Sequence, residues 1–177
     1  MAGTSFSMPE LVGAFHVYHN DDRLIGISDE ITLPEFTALT DNMAGPGVLG
    51  EVETAAFGHF GSMEIEIPFR QVNPTMFNLV SMGPSVNVTI LGGVQQRDSQ
   101  TGDVDWWPAR IVMRGENKTL SLGKFKQAAG TGSSIKLELT YILIEINGVK
   151  EIELDKFNFV YTVHGVDVLK KLRSMCE

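Results

Sequence analysis

The sequence predicts a mainly β protein: a packed two-sheet barrel or sandwich with one main helix and one long hairpin. Three observations predict it. Short alternating apolar runs recur between turn residues along most of the 177-residue chain. Only one internal stretch carries helix-capping residues at both ends. The stretch Ser133 to Gly148, S-S-I-K-L-E-L-T-Y-I-L-I-E-I-N-G, is the longest strand pattern. In it Ile135, Leu137, Leu139, Tyr141 and Leu143 share one face by the period of two. Polarity then changes sides, and Ile142, Ile144 and Ile146 occupy the second face. A strand of about 13 residues spans roughly 43 Å at ~3.3 Å per residue, about twice the usual length. One half is therefore expected to pack in its own core and the other against something else. Asn147-Gly148 is a type I′ hairpin signal, with Val149 to Asp155 as the returning strand.

From the N-terminus, Met1 to Pro9 reads as part of a loose segment over residues 1–10. Phe15 to His19 is a short strand, Asn20-Asp21-Asp22 a turn and Arg23 to Leu33 a second strand, with Pro34 ending it. Thr37 to Glu53 has no clear period and reads as a long flexible loop of the functional kind. Phe60 to Ile67 is a strand with Met63, Ile65 and Ile67 inward. Asn73 caps a helix, Pro74 suits its first position, and Gly83 with Pro84 ends it; Met76, Phe77, Leu79 and Val80 form its apolar stripe.

Val86, Val88 and Ile90 begin a further strand, with a bulge expected at Gly92-Gly93. Gln96 to Gly102 is a turn. In Val104 to Arg114, Pro108 demotes the strand to an edge or a bulge. Lys118, Leu120 and Leu122 continue the alternation. Gly123 to Ser134, carrying Lys124 and Lys126, is a second flexible loop. Phe157, Phe159, Tyr161 and Val163 form the inward face of the last strand. Asp167 caps a short terminal helix holding Val168, Leu169 and Leu172.

Composition narrows the function. The length suits a single domain over residues 1–177 with a real core. The net charge of −8 argues against gripping nucleic acid through its phosphates, which needs a basic stripe. It does not argue against a surface past which nucleic acid slides. A lone cysteine, Cys176, excludes an internal disulfide framework and favours cytosolic synthesis. No signal peptide and no apolar run of membrane-spanning length are present, so no membrane anchor is expected.

No catalytic, cofactor or metal site emerges. Gly45-Pro46-Gly47-Val48-Leu49-Gly50 matches a phosphate-binding pattern by letters but lacks the strand before it and the helix after it. His16 and His19 point to opposite strand faces, and His59 and His164 stand alone. Asp98 to Asp105 lacks the closing glutamate of a calcium loop. There is no nucleophile elbow or zinc-protease helix motif, and Cys176 lies too near the terminus to be held against a base. Of the adjacent Trp106 and Trp107, one is expected in the core and the other exposed or in an interface.

The ordered set Gln96-Arg97-Asp98, Thr101-Gly102, Val112-Met113-Arg114-Gly115, Gly123-Lys124, Lys126-Gln127, Ile146-Asn147-Gly148, Glu151 to Asp155, Asn158 and Gly165-Val166-Asp167 resembles the major tail tube protein of contractile-tailed phages and R-type bacteriocins. Ile31 to Pro34, Thr37 and Met43-Ala44-Gly45 match more loosely. The likeness spans about Gly13 to Leu172; the Trp106 to Pro108 run and the acidic Glu51 to Glu53 segment are not part of it.

The resemblance implies a structural protein without cofactors. Six copies form a ring, each giving strands to a shared inner barrel. Rings stack around a tape-measure protein, inside a contractile sheath, between a baseplate initiator and a terminator. DNA passes through without specific binding, in a virion assembled in the host cytoplasm. Expected contact residues are Met43, Gly45, Gly47, Leu49, Glu51 and Glu53 in the first loop and Lys124 and Lys126 in the second. Ile142, Ile144, Ile146, Asn147 and Gly148 are expected contacts at the hairpin. Acidic residues suit a lumen that repels DNA. The rivals are a type VI secretion tube ring and a monomeric lipocalin-like barrel holding a small ligand.

Overall fold

A computed structural model describes residues 6–28, 30–80 and 85–176. The strands are β1 (Ser7–His19), β2 (Asp22–Arg23), β3 (Ala38–Met43), β4 (Val52–Phe60), β5 (Glu64–Phe69), β6 (Val86–Asp98), β7 (Val104–Ser121), β8 (Ser133–Ile146), β9 (Val149–Asp155), β10 (Val160–Val163) and β11 (Val166–Asp167). Two helices, α1 (Pro74–Phe77) and α2 (Lys170–Cys176), complete the set. The main sheet runs β11-β10-β9-β8-β7-β6-β1-β2, with β5 paired to β8 off this path. β3 and β4 form a separate two-stranded sheet.

β8 is the branch point. Its first half, through Glu138, pairs with β5, and its second half, from Tyr141, pairs with β9. β7 accompanies it throughout, with register shifts at Arg114/Gly115 and Asn117/Thr119. Two layers result, with β7 and β8 running through both and turning the corner at these bulges. The core lies between the layers. Ile65, Ile67 and Phe69 from β5 join Val86 and Val88 from β6, Met113 from β7 and Leu154 from β9 in one buried cluster.

This corner explains the polarity swap. Ile135, Leu137 and Leu139 are buried before it, and Ile142 after it, in the same core. Ile142 therefore belongs to the chain's own interior, which corrects the expectation that it meets a neighbour; Ile144 is partly buried against the same core and Ile146 is exposed. The sheet does not close into a barrel, so the lipocalin-like alternative loses its ligand cavity. The turn after β8 is as expected, with Asn147 and Gly148 both at positive φ, 52° and 76°.

Other expectations need correction. β1 begins at Ser7, so the loose segment expected through Pro9 overlaps a paired strand. Among the described residues the expected strand from Arg23 to Leu33 is paired as β2, extended by the Leu24 N–H to the Val17 carbonyl, and at single bridges, Ile27 to Phe69 and Thr32 to Glu66. Gly26 at φ 84° breaks its extension. The unperiodic stretch from Thr37 to Glu53, expected as a loop, contains β3 and the start of β4.

The helix at Pro74 is one turn. Asn73 caps it as predicted, accepting from the Met76 N–H at 2.8 Å. The chain then tightens into the turns that bury Leu79, and the expected stop at Gly83-Pro84 lies outside the described residues. Pro108 sits inside the central strand β7. Its carbonyl accepts from the Asn147 N–H at 2.8 Å, so its absent N–H faces the hairpin turn beyond the last β8 ladder pair, and no sheet bond is lost.

The bulges fall in β1, at Glu10 and Gly13, rather than at Gly92-Gly93. Gly13 makes room for Trp106, whose ring would lie 2.1 Å from a Cβ there. Neither Trp106 nor Trp107 enters the buried cluster. At the C-terminal end Asp155 Oδ1 accepts from the N–H groups of Phe157 and Asn158. This turn delays β10 to Val160 and leaves Phe157 and Phe159 exposed rather than inward. Leu169, buried, precedes α2, whose own residues are none of them buried; Leu172 is exposed.

On the outer face of the large layer, Tyr141 lies under Arg114, whose guanidinium carbon is 4.9 Å from the ring centre. Burial, and then the hydrogen bond its hydroxyl donates to Glu153 at 2.9 Å, push the Tyr141 phenol from 10.0 up to about 12. The neutral phenol thus belongs to the folded state. Its contribution is complete below pH 10 and is lost as pH rises from 10 through about 12. Denaturation curves across that window should show stability falling less steeply in Tyr141→Phe than in the wild type; equal slopes would exclude this role.

Candidate assembly interface

The first set of expected contact residues is gathered on a projecting arm. Met43 closes β3 opposite Val52 of β4, and Glu53 pairs with Asn42. Gly45, Gly47 and Leu49 lie in the connection between the strands, with Glu51 just before β4. Leu49 is 109% exposed and Phe57 67%. The arm is anchored at its base alone. Phe60 packs edge-on against Phe36 and Tyr161 at 5.9 and 5.1 Å, and Leu169 lies so close to Gly58 that a Cβ there would meet it at 2.4 Å. A two-stranded hairpin is marginal in water by itself, and among the described residues the outer arm is paired within itself and exposed.

The second set, Lys124 and Lys126, flanks Phe125, which is 93% exposed, in the loop after β7. The loop is held at its base, where Thr131 donates its N–H to the Arg70 carbonyl at 2.9 Å and accepts the Lys124 N–H at 2.8 Å. Its tip residues are exposed.

The third set divides. Ile142 is 1% exposed inside the core, and Ile144 packs against that core. Ile146, Asn147 and Gly148 are exposed at the hairpin end. Ile142 is closed to a contact, and the hairpin end is the open part of this set.

Sequence reasoning missed the longest open edge. β1 pairs with β6 on one side along its length, but on the other, among the described residues, partners are confined to its end, where Tyr18 and His19 pair with β2 and the Val17 carbonyl accepts the Leu24 N–H. Its unpaired stretch carries exposed Met8, Leu11 and Val12. The one signal available was Pro9, a residue tolerated at sheet edges. The edge is held firmly in place. The bulged Glu10 accepts from Arg97 Nε and Gln95 Nε2, both at 2.6 Å. These bonds, Arg97 first, hold the Glu10 carboxyl below the usual carboxylate range. Beside the edge an apolar groove of about 290 Å³ opens between Val12, Phe15, Leu33, Val94 and Ile111.

Charged groups elsewhere form surface pairs. Lys118 bridges Glu64 and Glu138, and Lys136 meets Glu66. Burial raises the Glu138 carboxyl, but hydrogen bonds from Ser62 and the Met63 N–H, with Lys156 and Lys118 nearby, outweigh it and leave a net lowering. Among the described residues no three His, Cys, Asp or Glu converge as metal ligands, and no helix is long and apolar enough to cross a membrane.

Comparison with known proteins fits these unsatisfied edges. A family model described as phage tail tube protein FII matches residues 9–175. The tail tube protein of Escherichia phage P2 is 28% identical over 169 residues, covering 94% of this chain and 96% of that protein. The fold is also similar to a chain of the cryo-EM structure of an extracellular contractile injection system, the PVC sheath/tube terminator in its extended state. That likeness has a TM-score of 0.53 at 13% identity and covers 78% of this chain and 97% of the other. With 167 consecutive positions under one family model, the chain belongs to the phage tail tube protein FII family, whose members are structural proteins and not enzymes.

Proposed function

We propose that six copies of this single-domain chain close into a ring and that rings stack into the inner tube of a contractile tail. The observation that carries this reading is the open edge of β1. A strand edge with unpaired backbone groups and exposed apolar side chains is an aggregation hazard in a monomer. Closure against the neighbouring copy removes it. Contact within the ring is heterologous and closing, and along the stack heterologous and open-ended.

In this reading the tube lies inside a sheath, encloses a tape-measure protein, grows from a baseplate initiator and stops at a terminator. It is part of the virion and is built in the host bacterial cytoplasm. The outer face of the large layer fits the channel wall. Arg110 there is held by Glu145 at 2.6 Å, and Arg114 is engaged by Tyr141 and Asn87. These contacts tie part of each guanidinium to the protein's own groups, and with a net charge of −8 on the chain phosphates are repelled overall, so DNA passes without sticking. Residues open to contact are the arm from Met43 to Glu53, the loop at Lys124 and Lys126, and the hairpin end at Ile146 to Gly148.

Negative-stain microscopy of the purified protein at low and high concentration tests the proposal. Hollow rings or cylinders are expected. Compact monomers at every concentration, unresponsive to a tail initiator complex, would overturn it.

A further inference from the structure

Resting on the stacked-ring reading, we infer that the β3–β4 arm of one copy docks on the Lys124-Phe125-Lys126 loop of a second copy, and that these two segments are the halves of a single head-to-tail contact. Charge complementarity points to this pairing. Between Thr37 and Phe69 the sequence has no Lys or Arg, while the arm carries Asp41, Glu51 and Glu53. From Leu122 to Gly132 there is no Asp or Glu. Among the described residues none of these three carboxylates and neither lysine enters an ion pair.

The apolar groups match as well. The arm offers Met43 opposite Val52, with acidic residues on either side along the strands. The loop offers Phe125 between two ammonium groups. An exposed aromatic ring framed by charges gains by seating on an apolar pair framed by the opposite sign.

Position makes the contact intermolecular. β5 separates the two bases. At one end Gly61 donates its N–H to the Thr37 carbonyl beside the arm, and at the other the Arg70 carbonyl holds Thr131 of the loop. The nine-residue step between Gly61 and Arg70 spans roughly 30 Å in extended chain. Donor and acceptor therefore leave opposite ends of the layer, the arrangement that propagates along an axis.

Charge reversal tests the pairing. One variant carries Glu51→Lys and Glu53→Lys, a second Lys124→Glu and Lys126→Glu, and a third all four changes. All lie at exposed positions, and circular dichroism checks that each folds. Each single-side variant is expected to lose roughly tenfold or more of its stacked polymer in sedimentation and microscopy, because like charges then meet. The fourfold variant is expected to regain it, and wild-type stacking should weaken as added salt screens the contact. Single-side variants that stack like the wild type, or a fourfold variant as defective as either, would overturn the contact while leaving the ring reading intact. A wild type that never leaves the monomer would overturn both.

Discussion

Gly115→Ala is expected to remove about 3–5 kcal/mol of folding stability, enough to unfold much of a marginally stable domain. A Cβ at position 115 would lie 2.2 Å from the Glu138 carbonyl oxygen and 2.9 Å from its carbon. Those are backbone atoms, so no rotamer change relieves the clash. β7 and β8 would have to part at the bulge where both strands turn from one layer into the other. Buried Met113 and Leu139 flank that point, so the separation reaches the core. Urea or thermal denaturation measures the effect. Gly45→Ala is the control: nothing lies within 4 Å of an added Cβ at that arm position, and its change should stay within about 0.5 kcal/mol. Equal stabilities for the two variants would show that the corner tolerates a wider ladder.

Gly115 also shows what the sequence could and could not reveal. It ends the run Val112-Met113-Arg114-Gly115 that carries part of the family likeness, yet the run states no reason for a glycine. The reason is a long-range approach to Glu138, and long-range approaches leave no local period. Elements whose logic is local were legible: the alternation in β8, the Asn147-Gly148 turn and the Asn73 cap. The polarity swap after Leu139 was legible too, but its cause was not. Two neighbours and a folded-over sheet produce the same letters, and the fold chose the second. Ile142 was therefore expected at a contact, although it lies in the chain's own core. The β3–β4 arm was hidden because an unpartnered hairpin need not alternate, there being no core to enforce it. Pro108 was misread because its effect depends on where β8 stops. Of the contact residues, those from Met43 to Glu53 and the two lysines lie on exposed, projecting segments; the β1 edge was missed because edges are defined by absent partners.

Introducing lysine at both Met8 and Leu11 is expected to abolish ring formation while leaving the monomer folded. Both side chains are more than half exposed, so the substitutions remove little packing from the isolated chain, and its denaturation midpoint should barely move. Lysine on an edge strand is a device by which proteins prevent edge-to-edge pairing. The lost apolar burial is worth about 1.5–3 kcal/mol for a fully buried side chain. In a closed ring of six the same loss recurs at every contact, so even about 2 kcal/mol per contact sums to on the order of 10 kcal/mol for the whole ring. A modest local change thus becomes an all-or-none loss, which sedimentation velocity at matched concentrations would register as monomer in place of ring. A double variant that assembles like the wild type would mean that the neighbour does not use this edge, and the ring would have to close through other surfaces.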